Sequence, residues 1–482
     1  MSCEPPVSWA CLGGRPRKPP LCIVLCGLAA VFISGAGCGE QRPSAVGSLD
    51  VRGPGPAAAP SPLPSWAVPV LRAPEEVESL DVSDANVCDR DLAVLTRCSR
   101  LRSLTLAAPR ITDEGLKHLA ALPRLQELWL RVSSITGKGF SYFPQDAPLR
   151  HLEIGSWEPT AKGIACLGNL KALVNLRASW RQAPDGAVSH LCSLGSLEKL
   201  DLHGIAPTDK NLAAVCTLTH VKEMDLGFRK GRPGDEILSL LRGMRNLTGV
   251  DLSFLDFQDP SLPELAHFPG LRRLDLSDSR VGDAAMVHVS GLRELRCLDL
   301  GRTAVGDAGL AHLAAASALQ ELDLAETQVT DAGMEHLSRL RGLRRLDLSE
   351  TRVSSDGLGH LRGLVVLEEL NLRGAPVGNE GLAHIAAMAN LRVLNLASTK
   401  VTAEGLSCLA HMRNLRDLHL TADALGTDVK SATDRARAEL GHLSDLKIMF
   451  YGMAYEQMLL ENFKRYEPSD PNADKNTVWH LP

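Results

Sequence analysis

Two columns of residues stand out as able to do chemistry. Asp201, Asp225, Asp251, Asp275, Asp299, Asp323 and Asp347 recur at one register, and Asn371 and Asn395 continue it. His118, His288, His312, His336, His360 and His384 recur at another. A row of carboxylates can hold a cation or a basic ligand, and a row of imidazoles can hold zinc. Both chemistries need ligands that converge on one ion at about 2.0–2.6 Å. Residues one repeat apart on adjacent strands do not converge without a tighter cage. Arg272, Arg273, Arg296, Arg302, Arg344 and Arg345 lie beside the acidic column in sequence. The expectation is therefore a solvated carboxylate face paired with arginines. The histidines are expected to pack their rings and bond nearby carbonyls. No metal or cofactor is called for. The phosphate-loop, G-x-S-x-G, H-E-x-x-H and C-x-x-C patterns are missing from the sequence, and no catalytic residue is assigned.

What places these columns is a period. Leu271, Leu295, Leu319, Leu343, Leu367, Leu391 and Leu415 each open an L-x-x-L-x-L segment, at steps of 24. The register runs backwards through Leu247, Val221, Leu197, Leu173, Leu149, Leu125, Leu101 and Val77, with a step of 26 between Val221 and Leu247. A further match, Leu443-Ser-Asp-Leu446-Lys-Ile448, follows Leu415 by 28. That makes sixteen units over 77–450. A fixed period of this length is the signature of a stacked-repeat solenoid.

Each unit has two halves. Leu319-Gln-Glu-Leu322-Asp-Leu324 alternates apolar and polar at its end, as a short strand with one buried face does. Thr330-Asp-Ala-Gly-Met334-Glu-His-Leu337 spaces its apolar residues by three or so, as a helix stripe does. Thr330 is the expected N-cap, and Asp331 sits in the first turn, where the helix dipole favours negative charge. No unit can bury its own apolar face, so stacking must close a core of Leu322, Leu324, Val329, Met334, Leu337 and their equivalents.

The pattern L-x-x-L-x-L-x-x-T-x-V-T-D-x-G-x-x-x-L from Leu319 to Leu337 resembles the leucine-rich repeat family, in particular its 24-residue bacterial type akin to GALA and cysteine-containing repeats. Thr303, Thr327, Thr351 and Thr399 depart from it, standing where many such repeats have Asn. The resemblance implies an α/β solenoid with a curved parallel sheet on the concave side and short helices on the convex side. It also implies a protein-binding scaffold rather than an enzyme.

The flanks have other compositions. Arg15, Arg17 and Lys18 precede an apolar run from Leu21 to Ile33, and Ser34-Gly-Ala-Gly-Cys38 follows. Basic, apolar, then small is the order of a secretory signal. Gly35-Ala-Gly-Cys38 resembles a lipoprotein cleavage box, although Gly35 stands where that family has Leu. Residues 1–38 are thus expected to be a signal peptide or membrane anchor, with Cys38 as lipid anchor and the cell envelope as destination. Cleavage near Ala36, an uncleaved anchor and a cytoplasmic chain are the alternatives. Residues 39–76 form a Pro/Ala/Gly-rich linker. Residues 451–482 are expected to be a cap, with a helix over Met453–Phe463, and a loose tail. Five of the twelve cysteines precede residue 39 and seven follow it, an odd number that argues against a disulfide framework.

A net charge of −5 and the lack of a visible basic stripe argue against general nucleic-acid binding. Aromatics make up only 4% of the chain, so clusters of them are informative. The early repeats carry such a cluster: Trp129, Arg131, Arg177, Trp180, His203, Phe228 and Phe254 fall at strand positions expected on the concave face or its rim. Exposed aromatics with arginine are the usual anchors of protein interfaces. The other reading is that they stack along the rim and merely fill it. The functional expectation is an exported, membrane-tethered scaffold that binds a protein partner there. The alternatives are an intracellular adaptor resembling F-box substrate receptors and an enzyme effector targeted by its repeats. No F-box-like helical segment precedes the repeats, and the tail after 450 is short for a catalytic domain.

Overall fold

The computed structural model describes residues 72–451, apart from 84–85, 132–133, 181–183, 203–208, 227–233, 256–258, 422–428, 442 and 444–445. Cys38, the linker to Leu71, the 453–463 segment, His203 and Phe228 lie outside the described residues.

Among the described residues sixteen strands form one parallel sheet in which every strand pairs with its sequence neighbours. The first strand is Ser79–Val82 and the last Lys447–Tyr451. Register follows the period: Leu298 pairs with Leu274 on one side and Leu322 on the other. Most strands of the regular half are three residues long, such as Glu321–Asp323, which is enough to present one inward leucine between two outward side chains. Short helical segments return the chain on the other side, for example Asp307–Leu313 and Asp331–Leu337. Several of these are 3₁₀ rather than α, including Asp259–His267 with Pro263 inside it. Strands stack at about 4.8 Å and helices at about 8–10 Å, so the sheet takes the inner side of the arc.

The core is one continuous column. Leu322, Leu324, Val329, Met334 and Leu337 are all buried, as are their equivalents along the chain. The last strand departs from the expected frame. Leu418 pairs with Ile448, not Leu446, so the insertion before it is two residues longer than the sequence match suggests. A longer helix, Val429–Leu440, fills that connection with Ala436 and Leu440 buried.

The carboxylates at the helix starts act between units. Thr330 does cap its own helix, its Oγ1 accepting from Ala332 N. Asp331, expected to serve its own helix, instead accepts from Ser354 N at 2.7 Å and from Ser354 Oγ at 2.6 Å in the next unit. Asp307 accepts from Thr330 N and Oγ1 in the same way, Asp89 from Thr112, and Asp113 from Thr136. Asn379 takes this role towards Thr402. The carboxylate reaches so far into the next helix start that only glycine fits opposite. A Cβ on Gly333 would lie 2.5 Å from Asp307 Oδ1 and 2.8 Å from Leu310 Cδ1.

The threonines that replace the family's Asn have a local task. Thr303 Oγ1 donates to Leu300 O, Thr327 to Leu324 O and Thr351 to Leu348 O, each at 2.6 Å and buried. They tie the carbonyl at the strand end as the chain turns away. That turn uses left-handed backbone at Phe254, Asp278, Arg302, Glu326, Glu350 and Ser398, with φ between 55° and 62°.

Gly333→Ala should therefore break the joint between two units, at a cost of about 1–3 kcal/mol from the displaced carboxylate. Gly363→Ala, where an added Cβ meets nothing within 4 Å, should stay within about 0.5 kcal/mol of the parent. Urea unfolding followed by circular dichroism compares the two, and equal midpoints would remove the steric account of the glycine column.

Candidate functional site

In its regular half the acidic column is not the solvated face expected from its neighbours. Asp275, Asp299, Asp323 and Asp347 are only 4–6% exposed. Each turns onto its own strand end: Asp275 accepts from Ser277 N, Asp299 from Gly301 N, Asp323 from Ala325 N and Asp347 from Ser349 N, all at 2.8–2.9 Å. An Asx turn of this kind favours Asp or Asn two residues ahead of the bonded amide. Neighbours in the column also reach each other, since Asn371 Nδ2 donates to Asp347 Oδ2 at 2.8 Å. The arginines pair mostly with glutamates instead: Arg345 lies between Glu321 at 2.9 Å and Glu369 at 3.0 Å. Among the described residues no three His, Cys, Asp or Glu side chains are placed to hold a metal ion. The histidines lie on the helical side, and His384 Nδ1 faces Arg362 Nη2. The seven cysteines of the described part are free thiols.

Where the column begins, the strand face opens into a cavity of about 310 Å³. Arg177, Lys199, Glu223, Asp225, Asp251 and Arg273 line it. Charges of both signs alternate there. Lys199 pairs with Glu223 at 2.9 Å, and Arg273 meets Glu223 from the other side. Arg177 is 47% exposed and stretches between Glu153 at 3.7 Å and Asp201 at 3.6 Å. Asp251 accepts from Ser253 N at 2.9 Å and stands in register between Asp225 and Asp275. Burial pushes its carboxyl up to about 8, and the Asp225 carboxylate adds to the shift.

The aromatic and arginine residues expected at the rim divide. Trp129 is half-buried, with its ring 5.1 Å from that of His151. Burial lowers the His151 pKa, which keeps this pair uncharged. Arg131 is exposed at the end of the Trp129 strand. Phe254 is 50% exposed, held out by its left-handed backbone. Trp180 corrects the expectation. It is 3% exposed, its ring lies 4.9 Å from Trp157, and its Nε1 donates to Asp201 O at 3.2 Å. The strands Asn175–Trp180 and His151–Trp157 run further than the other described strands; alternation carries Trp180 inward, and a register shift after Ile154 carries Trp157 inward beside it. Trp180 and Trp157 are thus the core of this region and not part of its surface. Trp157 was missed in sequence because a bulge after Ile154 shifts its register.

The basic stripe that composition hid appears on folding. Arginines gather along the edge where strands begin, with Arg272, Arg296, Arg344, Arg392 and Arg416 exposed at one register. The opposite side of the strands carries Asp278, Glu326 and Glu350 at the turns that leave the sheet and Asp356, Glu380 and Glu404 at the helix starts. The near-neutral total conceals this separation.

A continuous parallel sheet, helical returns and a charged inner face define a repeat solenoid with a recognition surface. Residues 252–458 match the family model described as a leucine-rich repeat region. These residues carry leucine-rich repeats, and the strand register continues the same repeat fold through the other described units. Among solved structures, an internalin from Listeria monocytogenes is 19% identical over 73% of this chain and 92% of its own, with a TM-score of 0.44. A leucine-rich repeat protein from Leptospira interrogans is 18% identical over 80% of this chain and 98% of its own, with a TM-score of 0.43. Comparison with curated proteins finds no match. The fold assignment rests on the strand register and the family match.

The raised Asp251 pKa gives a pH test. A carboxyl held above its ordinary value supports the fold fully below about pH 4, and that support is lost as pH rises through about 8. Asp251→Asn keeps the acceptor for Ser253 N, as Asn371 does for Arg373 N, and removes the titration. Its melting temperature should match the parent's near pH 4 and exceed it by on the order of 2 °C near pH 9. A difference that does not change with pH would show that the carboxylate is compensated in its ionised form.

Proposed function

We propose that this protein is a non-enzymatic binding scaffold that recognises a protein partner on its inner sheet face. The observation that carries the reading is the cavity at the sheet face from Arg177 to Arg273, where cations and carboxylates alternate within one open recess. Such a face can match a partner's charges one by one and reject a partner with the wrong pattern. Trp129, Arg131, Arg177 and Phe254 are the proposed contacts, with Phe254 as the apolar anchor. Trp180 supports them from beneath. His203 and Phe228 remain proposed contacts from their place in the repeat.

The same proposal places the solenoid outside the cytoplasm. The basic, apolar and small segments before Cys38 support export, and the proline-rich stretch after it supports a tether that holds the repeats away from a membrane. No helix among the described residues is long and apolar enough to cross a membrane. The proposed anchor is the N-terminal segment with a lipidated Cys38, on the strength of its residue order.

Two measurements test the two halves. Intact mass and membrane partition of the chain expressed in a bacterium should give a diacylated species starting at Cys38. A full-length soluble chain would overturn the export reading and favour the intracellular adaptor. Chemical crosslinking on the native host's envelope should capture a protein with the parent. Arg177→Ala combined with Phe254→Ala should lose it by about tenfold or more, while both chains melt alike. Undiminished capture by the double variant would remove the inner face as the site.

A further inference from the structure

The arginine edge is built as a regular row. The amide of Arg296 donates to the carbonyl of Arg272, Gln320 to Arg296, Arg344 to Gln320, Glu368 to Arg344, Arg392 to Glu368 and Arg416 to Arg392, at 2.7–2.8 Å. The sheet's hydrogen bonding therefore extends to this edge, and the side chains follow one another at one strand spacing, about 4.8 Å. Three more arginines, Arg293, Arg341 and Arg413, stand exposed in the loops that lead into Arg296, Arg344 and Arg416. Arg293, Arg341 and Arg413 make no ion pair among the described residues.

One member of the row shows how an anion sits there. Glu368 occupies the place between Arg344 and Arg392 and takes a guanidinium on each side: Arg344 Nη1 on Oε1, and Arg392 Nη1 at 4.0 Å from Oε2. Gln320 occupies the same place between Arg296 and Arg344, but brings no charge. Arg272 and Arg296 are direct neighbours with nothing between them, and Arg272 reaches only a neighbouring loop glutamate, Glu294, at 3.8 Å. The Gln320 place thus repeats the cationic half of the Glu368 arrangement without its carboxylate, and at the Arg272–Arg296 gap the Glu294 carboxylate stands off at 3.8 Å.

We propose that this edge binds an acidic polypeptide segment in extended conformation, with its carboxylates seated where Glu368 already places one. The inference rests on the reading of the chain as a binding scaffold and adds the chemistry of the partner. The gap between Arg272 and Arg296 lies one and a half strand spacings from the place over Gln320, about 7 Å. Alternate side chains of an extended peptide are about 6.8 Å apart, so every second residue, if acidic, meets a seat. Guanidinium forks suit carboxylates in this geometry. The large apolar side chains exposed among the described residues of this stretch are Val287 and Val365, so a single strand of nucleic acid would find no aromatic ring to stack on.

The test uses two single-atom-class changes with opposite expected signs. Gln320→Glu fills the empty seat from within, and Glu368→Gln opens the occupied one. The probe is a labelled peptide of about twelve residues alternating Glu and Ser. Oligothymidylate of the same length and vesicles of equal parts phosphatidylcholine and phosphatidylserine are the competing probes. Fluorescence anisotropy on the full chain should show peptide binding that tightens about threefold in Glu368→Gln and weakens about threefold in Gln320→Glu. Arg296→Ala with Arg344→Ala should weaken it by about tenfold or more. Unchanged melting curves confirm that each surface variant is folded. No peptide binding, the same affinity in both single variants, or tighter binding of oligothymidylate or vesicles would overturn the proposal. None of these variants touches the Arg177 and Phe254 face, so loss of one site and loss of the other read out separately.

Discussion

The carboxylate that each unit lends to the next is the contact on which the rest of the structure depends. One unit carries a strand too short to stand alone and a helix of about two turns, and neither is stable in isolation. Asp307 joins them across the boundary by accepting from Thr330 N and Oγ1. It satisfies a helix end that would otherwise leave its amides without partners, and it sets the distance between helical layers. Gly333 permits that approach because a side chain there would strike the carboxylate. With the helices fixed at this joint, the leucines of adjacent strands fall into register without further instruction. Stability then grows by adding boundaries rather than by enlarging a centre.

Most of this was legible in the sequence because it repeats. The period of 24, the inward leucines and the Thr330 cap all follow from residues counted along the chain. What could not be read was direction. Asp331 sits where it could serve its own helix, and nothing in one unit says that its side chain faces the next. The acidic column posed the same problem. Seven aspartates beside arginines suggest ion pairs, yet the amide two residues on is closer and already oriented, so the carboxylate turns to its own backbone. Trp180 could not be placed because its orientation depends on how far its strand continues. An ordinary unit leaves the sheet by a left-handed turn at that position, as at Phe254, and throws the side chain outward. In the unit of Trp180 the strand runs on, and alternation sends the ring inward.

The interruption of the period and the presence of the cavity are connected. Two long strands, stacked tryptophans beneath them and the extra residues near Val221–Leu247 all precede the regular half. The strand face there opens around lysine, arginine and glutamate beside Gly249, whereas the regular half packs its buried aspartates in close array. Regular units optimise contact with their neighbours, which leaves little room for anything else. Irregular units leave an open recess, and the stacked rings of Trp157 and Trp180 give their two strands a wide aromatic core.

Charge in this molecule is arranged by edge rather than by amount. A parallel solenoid places every residue of a given register on one line, so a mild compositional bias at one position becomes a continuous row. Arginine at the strand beginnings and carboxylates at the helix starts illustrate this, although the whole chain carries a net charge of only −5. Part of the acidic edge follows from the helix joint, which requires carboxylates such as Asp283 and Asp307. The basic edge has no such structural duty. Its backbone bonds would form with any residue, as Val174, Thr248 and Gln320 show at equivalent places. A row of arginines that the fold does not need is held close together against its own repulsion, and a ligand that brings negative charge would relieve that repulsion.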